Sequence, residues 1–160
     1  MTILGSIETL PNVGWREWVS FPELGIPGVK AKIDTGAKSS ALHTHDYEIY
    51  ESPSGEQRVR FHLHPLRSRQ WLELECDAAV TGLREVKDSG GRTELRPFIT
   101  TALRLGDTEW TIDLSLTNRE SMKFRLLIGR AAVRGRFAVD VSRSYLIGKS
   151  LSGTYPRTAP

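Results

Sequence analysis

The chain has 160 residues, 39% apolar and 26% charged, with 22 lysines and arginines against 19 aspartates and glutamates, for a formal charge of +3. That length suits one domain with a sizeable core, and the composition excludes disordered, collagenous and fibrous classes. A lone Cys76 excludes an internal disulfide and points to a reducing compartment.

No apolar run approaches the ~18 residues that span a bilayer. The opening MTILGSIETLPNVG lacks the basic n-region and long apolar h-region of a signal peptide. A soluble, cytoplasmic protein with no membrane partner is expected. The slight basic excess contains no block of five or more cations, so a solvated surface accounts for it.

Along the chain, short segments of strand character recur at 15–19, 29–33, 42–50, 58–64, 71–80, 97–105 and 110–116. RVRFHLH (58–64) alternates strictly, with Val59, Phe61 and Leu63 on one face and Arg58, Arg60, His62 and His64 on the other. That is the pattern of a half-buried strand. SPSGE (52–56), DSGGR (88–92) and LGD (105–107) supply turns between them. No long helical stripe appears; one short helix is predicted at 130–133, just after LLIG. Strands of this length and spacing predict an all-β barrel or sandwich in a single domain, 1–160. Residues 151–160, LSGTYPRTAP, read as a loose tail unless a partner orders them.

Two motifs carry the chemistry. Asp34-Thr35-Gly36-Ala37 follows an apolar strand, and Leu126-Leu127-Ile128-Gly129-Arg130 comes later, Gly129 standing 95 positions after Asp34. A D-T-G triplet alone occurs by chance in roughly a few per cent of chains this long, and Asp and Gly are common turn residues. The pairing with an apolar-apolar-Gly-Arg segment in a β-rich domain is far more specific.

With both motifs the sequence resembles the retropepsin-like aspartic proteases. It is more closely similar to the bacterial family labelled "ATP-dependent zinc protease" and associated with the RimK-type glutamate ligase. The similarity runs from GWREWVSFPELGI through VKAKIDTGAKSSALH to LTNRESMKFRLLIGR and FAVDVSRSYLIG. The resemblance implies a retropepsin-like closed barrel, an aspartic endopeptidase acting as a homodimer, and Asp34 as its catalytic carboxylate. Chemistry gives an independent reason for a dimer. One carboxylate must take a proton from water while a second, protonated one polarises the scissile carbonyl. Two carboxyls about 3 Å apart share a proton because both cannot ionise. One chain supplies one D-T-G; a two-fold axis would supply the other.

Under the same resemblance Thr35 braces the two turns across the axis, Gly36 lets backbone and substrate approach closely, and Ala37 floors a subsite. Leu127, Ile128 and Gly129 pack against the turn. Retropepsins usually carry an acidic residue after D-T-G-A that pairs with the later arginine; here that position is Lys38. With Lys38 and Arg130 both near the cleft, an acidic, glutamate-rich peptide is the expected substrate. A flap hairpin is expected at 84–97, with Asp88, Gly90 and Gly91 at a substrate-covering tip.

Other readings stay open. A dimer of the same fold could bind acidic peptides in a regulatory role without catalysis. The pairs His43/His45 and His62/His64 have a spacing compatible with metal ligation on a strand, so a zinc peptidase is a third reading, although Arg58 and Arg60 share the face of His62 and His64 and no H-E-x-x-H occurs. His43 also stands close enough to the Asp34 turn to support it. No cofactor is expected, since neither G-x-x-x-x-G-K-[ST] nor G-x-G-x-x-G is present. Cys76 reads as a buried small hydrophobe. Trp15, Trp18, Trp71 and Trp110 are spread singly, without a basic stripe, so no nucleic-acid partner is expected.

Overall fold

The computed structural model describes residues 9–88, 90–118 and 123–160. Ser89 of the expected hairpin tip, residues 119–122 inside the LTNRESMKFRLLIGR stretch, and the first eight residues lie outside these.

The described chain is mostly strand. In order it forms β1 (Asn12–Gly14), β2 (Arg16–Phe21), β3 (Ile26–Asp34), β4 (Ser40–His43), β5 (Asp46–Glu51), β6 (Gln57–Leu63), β7 (Leu74–Ala79), β8 (Gly82–Lys87), β9 (Thr93–Leu105), β10 (Thr108–Thr117) and β11 (Leu126–Gly129). The short α-helix α1 (Arg130–Val133) and β12 (Ala138–Asp140) follow. The principal sheet runs β10-β4-β11-β3-β2-β9-β8, and β10 also pairs with β9. Strands β10, β4, β11, β3, β2 and β9 thus close a ring, which removes sheet edges that would otherwise template aggregation. The closed all-β architecture and the helix at 130–133 are as expected from the sequence.

Period two explains the ring. Along β3, Val29, Ala31 and Ile33 are buried while Lys30 and Lys32 are exposed. Along β10, Trp110, Ile112 and Leu114 turn inward. These side chains meet Phe21, Leu103, Leu126 and Ile128 in one core. The sheet β5-β6-β7 packs on it through Val59, Phe61, Leu63 and Cys76, the inward face that the alternation in RVRFHLH predicts.

The segment expected as one strand at 42–50 is two. β4 pairs with β10 and β11, whereas β5 pairs with β6. The switch falls at Thr44, whose N–H donates to the Thr117 carbonyl at 2.8 Å, and His45, whose N–H donates to the His62 carbonyl at 2.7 Å. The chain leaves the ring there, a change of partner that apolar patterning does not encode. The strand expected from residue 71 starts only at Leu74, because the Leu72 N–H closes a turn onto the Arg69 carbonyl and Trp71 stays 41% exposed.

The C-terminal segment expected as a tail lies against the body as far as Tyr155. The Tyr155 hydroxyl donates to the Gly28 carbonyl at 2.6 Å and accepts from the Gly28 N–H at 3.1 Å. Arg69 donates to the carbonyls of Ser152 and Pro156. Further back, the buried Glu17 carboxylate accepts from the N–H groups of Gly14, Leu146, Ile147 and Gly148 at 2.6 to 3.1 Å. Gly148 comes so close to β2 that a Cβ there would sit 2.0 Å from the Trp18 carbonyl oxygen.

Candidate functional site around Asp34

β3 ends on Asp34, beside the end of β11, with Gly129 as its register partner in a parallel pair. The next residues form a tight turn. The Gly36 N–H donates to Asp34 Oδ1 at 3.1 Å, and the Ala37 N–H donates to the Asp34 carbonyl at 3.2 Å. Among the described residues the second carboxylate oxygen has no hydrogen-bond partner, so it is available to a ligand. Asp34 is half-buried, and Thr35 and Gly36 are exposed.

The LLIGR segment fastens this turn from behind. The Arg130 and Ala131 N–H groups donate to the carbonyls of Ala37 and Lys38, and the Gly129 N–H donates to Ser40 Oγ. Ser40 in turn receives Ser115 Oγ on its carbonyl. A Cβ on Gly129 would lie 2.6 Å from the Ser39 carbonyl carbon and oxygen and 2.7 Å from the Lys38 oxygen, so only glycine allows this approach. The Arg130 guanidinium donates to the Gly36 carbonyl at 3.3 Å. The two motifs, far apart in sequence, are one hydrogen-bonded unit.

This unit floors a cleft of about 920 Å³. Asp34, Gly36, Ala37, Lys38, Leu127 and Arg130 line it; Thr35, Ile128 and Gly129 do not. The hairpin of β8 and β9, in register from Gly82↔Phe98 to Lys87↔Thr93, forms another wall through residues 84–88 with Arg96 and Phe98. Asp88 lines the cleft and organises the hairpin's end, its Oδ1 accepting from the N–H groups of Gly90 and Arg92. Gly90 and Gly91 stand at that end, outside the cleft lining.

The cleft is strongly cationic. Among the described residues, seven lysines and arginines line it against three carboxylates, those of Asp34, Glu85 and Asp88. Sequence reasoning named Lys38 and Arg130 but missed Lys32, Arg84, Lys87, Arg96 and Lys123. Lys32 was legible, since it stands two residues before Asp34 on the same strand face. Arg96 was not: it is 5% exposed and held by Glu94 at 3.1 Å, and Glu94 also accepts from Thr117 Oγ1.

His43, His45 and His64 border one small pocket with Thr44 and Arg125, whereas His62 turns to Asp46. His43 is buried and lines the cleft, while His45 is exposed and its ring lies 5.3 Å from that of His64. His62 Nδ1 is 2.7 Å from Asp46 Oδ1, and His64 Nδ1 is 3.0 Å from the Leu72 carbonyl. Among the described residues no group of three or more His, Cys, Asp or Glu side chains could hold a metal ion. Cys76 is buried, and burial pushes its thiol up to about 12, which keeps it from acting as a nucleophile. Among the described residues no helix is long and apolar enough to cross a membrane.

Comparison with known proteins bears on the same elements. The RimB-like family, described as "Retropepsin-like aspartic endopeptidase RimB", matches residues 12–150. A protein named "Probable alpha-L-glutamate ligase" from Shewanella pealeana is 38% identical over 137 residues, which is 86% of this chain and 30% of that protein. Its namesake from Desulfotalea psychrophila is 40% identical over 86% of this chain and 29% of its own length. The chain therefore spans less than a third of the curated relatives it matches. A solved Legionella pneumophila protein of unknown function superposes with a TM-score of 0.70 at 28% identity, covering 86% of this chain and 98% of the other. On this evidence, spanning both the Asp34 turn and the segment that fastens it, the chain belongs to the RimB-like family of retropepsin-like aspartic endopeptidases.

Proposed function

We propose that this chain is an aspartic peptide hydrolase that works as a homodimer and prefers acidic, glutamate-rich peptide. The carrying observation is one Asp-Thr-Gly turn per chain, opening into a cationic cleft with the β8–β9 hairpin as a wall. A second chain related by a two-fold axis brings the partner's Asp34 opposite the first. The ionised carboxylate takes a proton from water, and the water oxygen attacks the carbonyl carbon. The protonated carboxyl gives its proton to the carbonyl oxygen, and the resulting tetrahedral diol collapses as the amine nitrogen is protonated and the C–N bond breaks. Gly36 N–H, bound to Asp34 Oδ1, holds the carboxylate in orientation for this exchange. The hairpin shields the reaction from bulk water.

Substrate class follows from charge. Lys32, Lys38, Arg84, Lys87, Arg96 and Arg130 surround a site with few carboxylates, so acidic side chains gain there what neutral ones do not. Relatives that carry a matching segment are named for ligating glutamate, which fits a glutamate-rich partner substrate.

The test is hydrolysis of oligoglutamate-containing and neutral peptides by the parent chain and by Asp34→Asn. The proposal expects faster cleavage of the acidic peptides, and loss of at least about a thousandfold of it in Asp34→Asn with folding intact. Equal cleavage by both proteins would overturn the assignment. Peptide binding without turnover in the parent would replace it with a binding module, and loss of activity to chelators with Asp34→Asn still active would favour a zinc enzyme.

A further inference from the structure

A second groove, of about 820 Å³, opens beside β2 and β3 and is bounded by residues 65–69, 123–125 and 145–152. Seven of the chain's 22 lysines and arginines line it, and among the described residues no aspartate or glutamate does. Among the described residues Arg16, Lys30, Arg67, Arg69, Lys123 and Lys149 form no ion pair. Several are nevertheless held in place by neutral groups. The Arg16 guanidinium lies between the rings of Trp15 and Tyr145, at 4.7 and 5.1 Å, and donates to Ser144 Oγ. Arg69 is held by the carbonyls of Ser152 and Pro156. Such partners fix position without cancelling charge, so the groove concentrates a positive field.

The groove leads to Asp34. Lys30, Lys32 and Asp34 follow at two-residue intervals on one face of β3. At about 3.3 Å per residue, Lys30 stands about 13 Å from Asp34 along the strand, the reach of four extended residues. Lys30 lines the groove, Lys32 and Asp34 line the cleft, and Lys123 and Phe124 line both.

The chemistry of the walls selects the anion. Nucleic-acid bases need open aromatic faces on which to stack. Here Trp18 and Phe124 are 5% and 8% exposed, and the rings of Trp15 and Tyr145 already carry Arg16. A second copy of the chain would set cations against cations across a two-fold axis. Side-chain carboxylates on an extended backbone fit both the charge and the continuity with the cleft.

We propose that this groove is an exosite that holds the acidic flank of an extended peptide while the bond to be cut lies beside Asp34. It deepens the peptide-hydrolase reading and rests on it for the identity of the ligand. The test separates the two by measuring binding without turnover. Fluorescein-labelled octaglutamate is titrated by anisotropy into the Asp34→Asn chain and into the same protein carrying Lys30→Gln, Arg67→Gln and Lys149→Gln, all exposed positions outside the Asp34 cleft, over a range of salt. Unchanged melting temperatures verify that the variant is folded. Loss of three exposed charge contacts predicts about tenfold weaker binding and a shallower salt dependence. Equal affinity in the two proteins, or no binding by either, overturns the exosite even if the parent chain hydrolyses acidic peptides. Tighter binding of an eight-nucleotide single strand than of octaglutamate overturns it in favour of a nucleic-acid site.

Discussion

Gly129 is where the two motifs touch. Its missing side chain lets β11 close onto the Lys38–Ser39 backbone, within 2.6–2.7 Å of where a Cβ would stand. Backbone cannot rotate away as a flexible side chain can, so Gly129→Ala must push the Asp34 turn off β11. We predict a loss of about 1–3 kcal/mol in denaturant unfolding; an unchanged midpoint would show that the turn is less tightly seated. Glu17 is the second such residue. Its fully buried carboxylate satisfies four backbone N–H groups from both ends of the chain. Glu17→Gln turns an amide towards some of those donors and should cost about 3 kcal/mol, read in the same unfolding assay. Nothing in the local sequence signals Glu17, since a glutamate between Arg16 and Trp18 looks like an exposed strand position. Three of its four partners arrive only with the return of Leu146–Gly148 to β2.

At the scale of elements, the β5–β6 hairpin carries a titratable contact. The hydrogen bond that His62 donates to Asp46 raises the His62 pKa above its usual 6.5, with desolvation opposing and the charges of Asp46, Glu73 and Glu75 adding to the rise. A raised folded-state pKa adds stability that is fully present below the unfolded value and fades as pH climbs through the folded value. Solvent screening keeps it small, about 0.5 kcal/mol. The stability gap between the parent and Asp46→Asn should therefore be wider at pH 5.5 than at pH 8.5, and a gap independent of pH would contradict the assignment. The last turn of chain makes a larger contribution. Burial and the contact with Gly28 define Tyr155, and burial pushes its hydroxyl up to about 12. Tyr155→Phe should lower stability by about 1–2 kcal/mol by leaving the Gly28 N–H and carbonyl without their partner. Elements whose partners are local, such as RVRFHLH and the helix after LLIG, are legible from periodicity. The strand break at Thr44 and the docking of Tyr155 are not, because both depend on partners 73 and 127 residues away.

For the whole molecule, the closed ring makes the frame, and the Asp34 turn with its cationic surround lies at one end of β3. The sequence shows the Asp34 turn and the LLIGR segment, and the resemblance joins them. The wider cationic surround emerges only when β8, β9 and residues 123–125 fold beside them, since those cations are scattered through the chain with no local pattern. On the function proposed above, one chain would hold half of a two-carboxylate site, since it carries a single Asp-Thr-Gly turn. The most direct measurement of that claim is subunit mixing. Parent protein is allowed to exchange with an equal amount of Asp34→Asn, and hydrolysis of an acidic peptide is followed at fixed parent concentration. If two Asp34 carboxylates make one site, random pairing leaves about half of the parent chains in active pairs, and activity falls to about half. Activity unchanged by the variant, under conditions where the chains demonstrably exchange, would mean that a single chain catalyses on its own and would contradict the shared site.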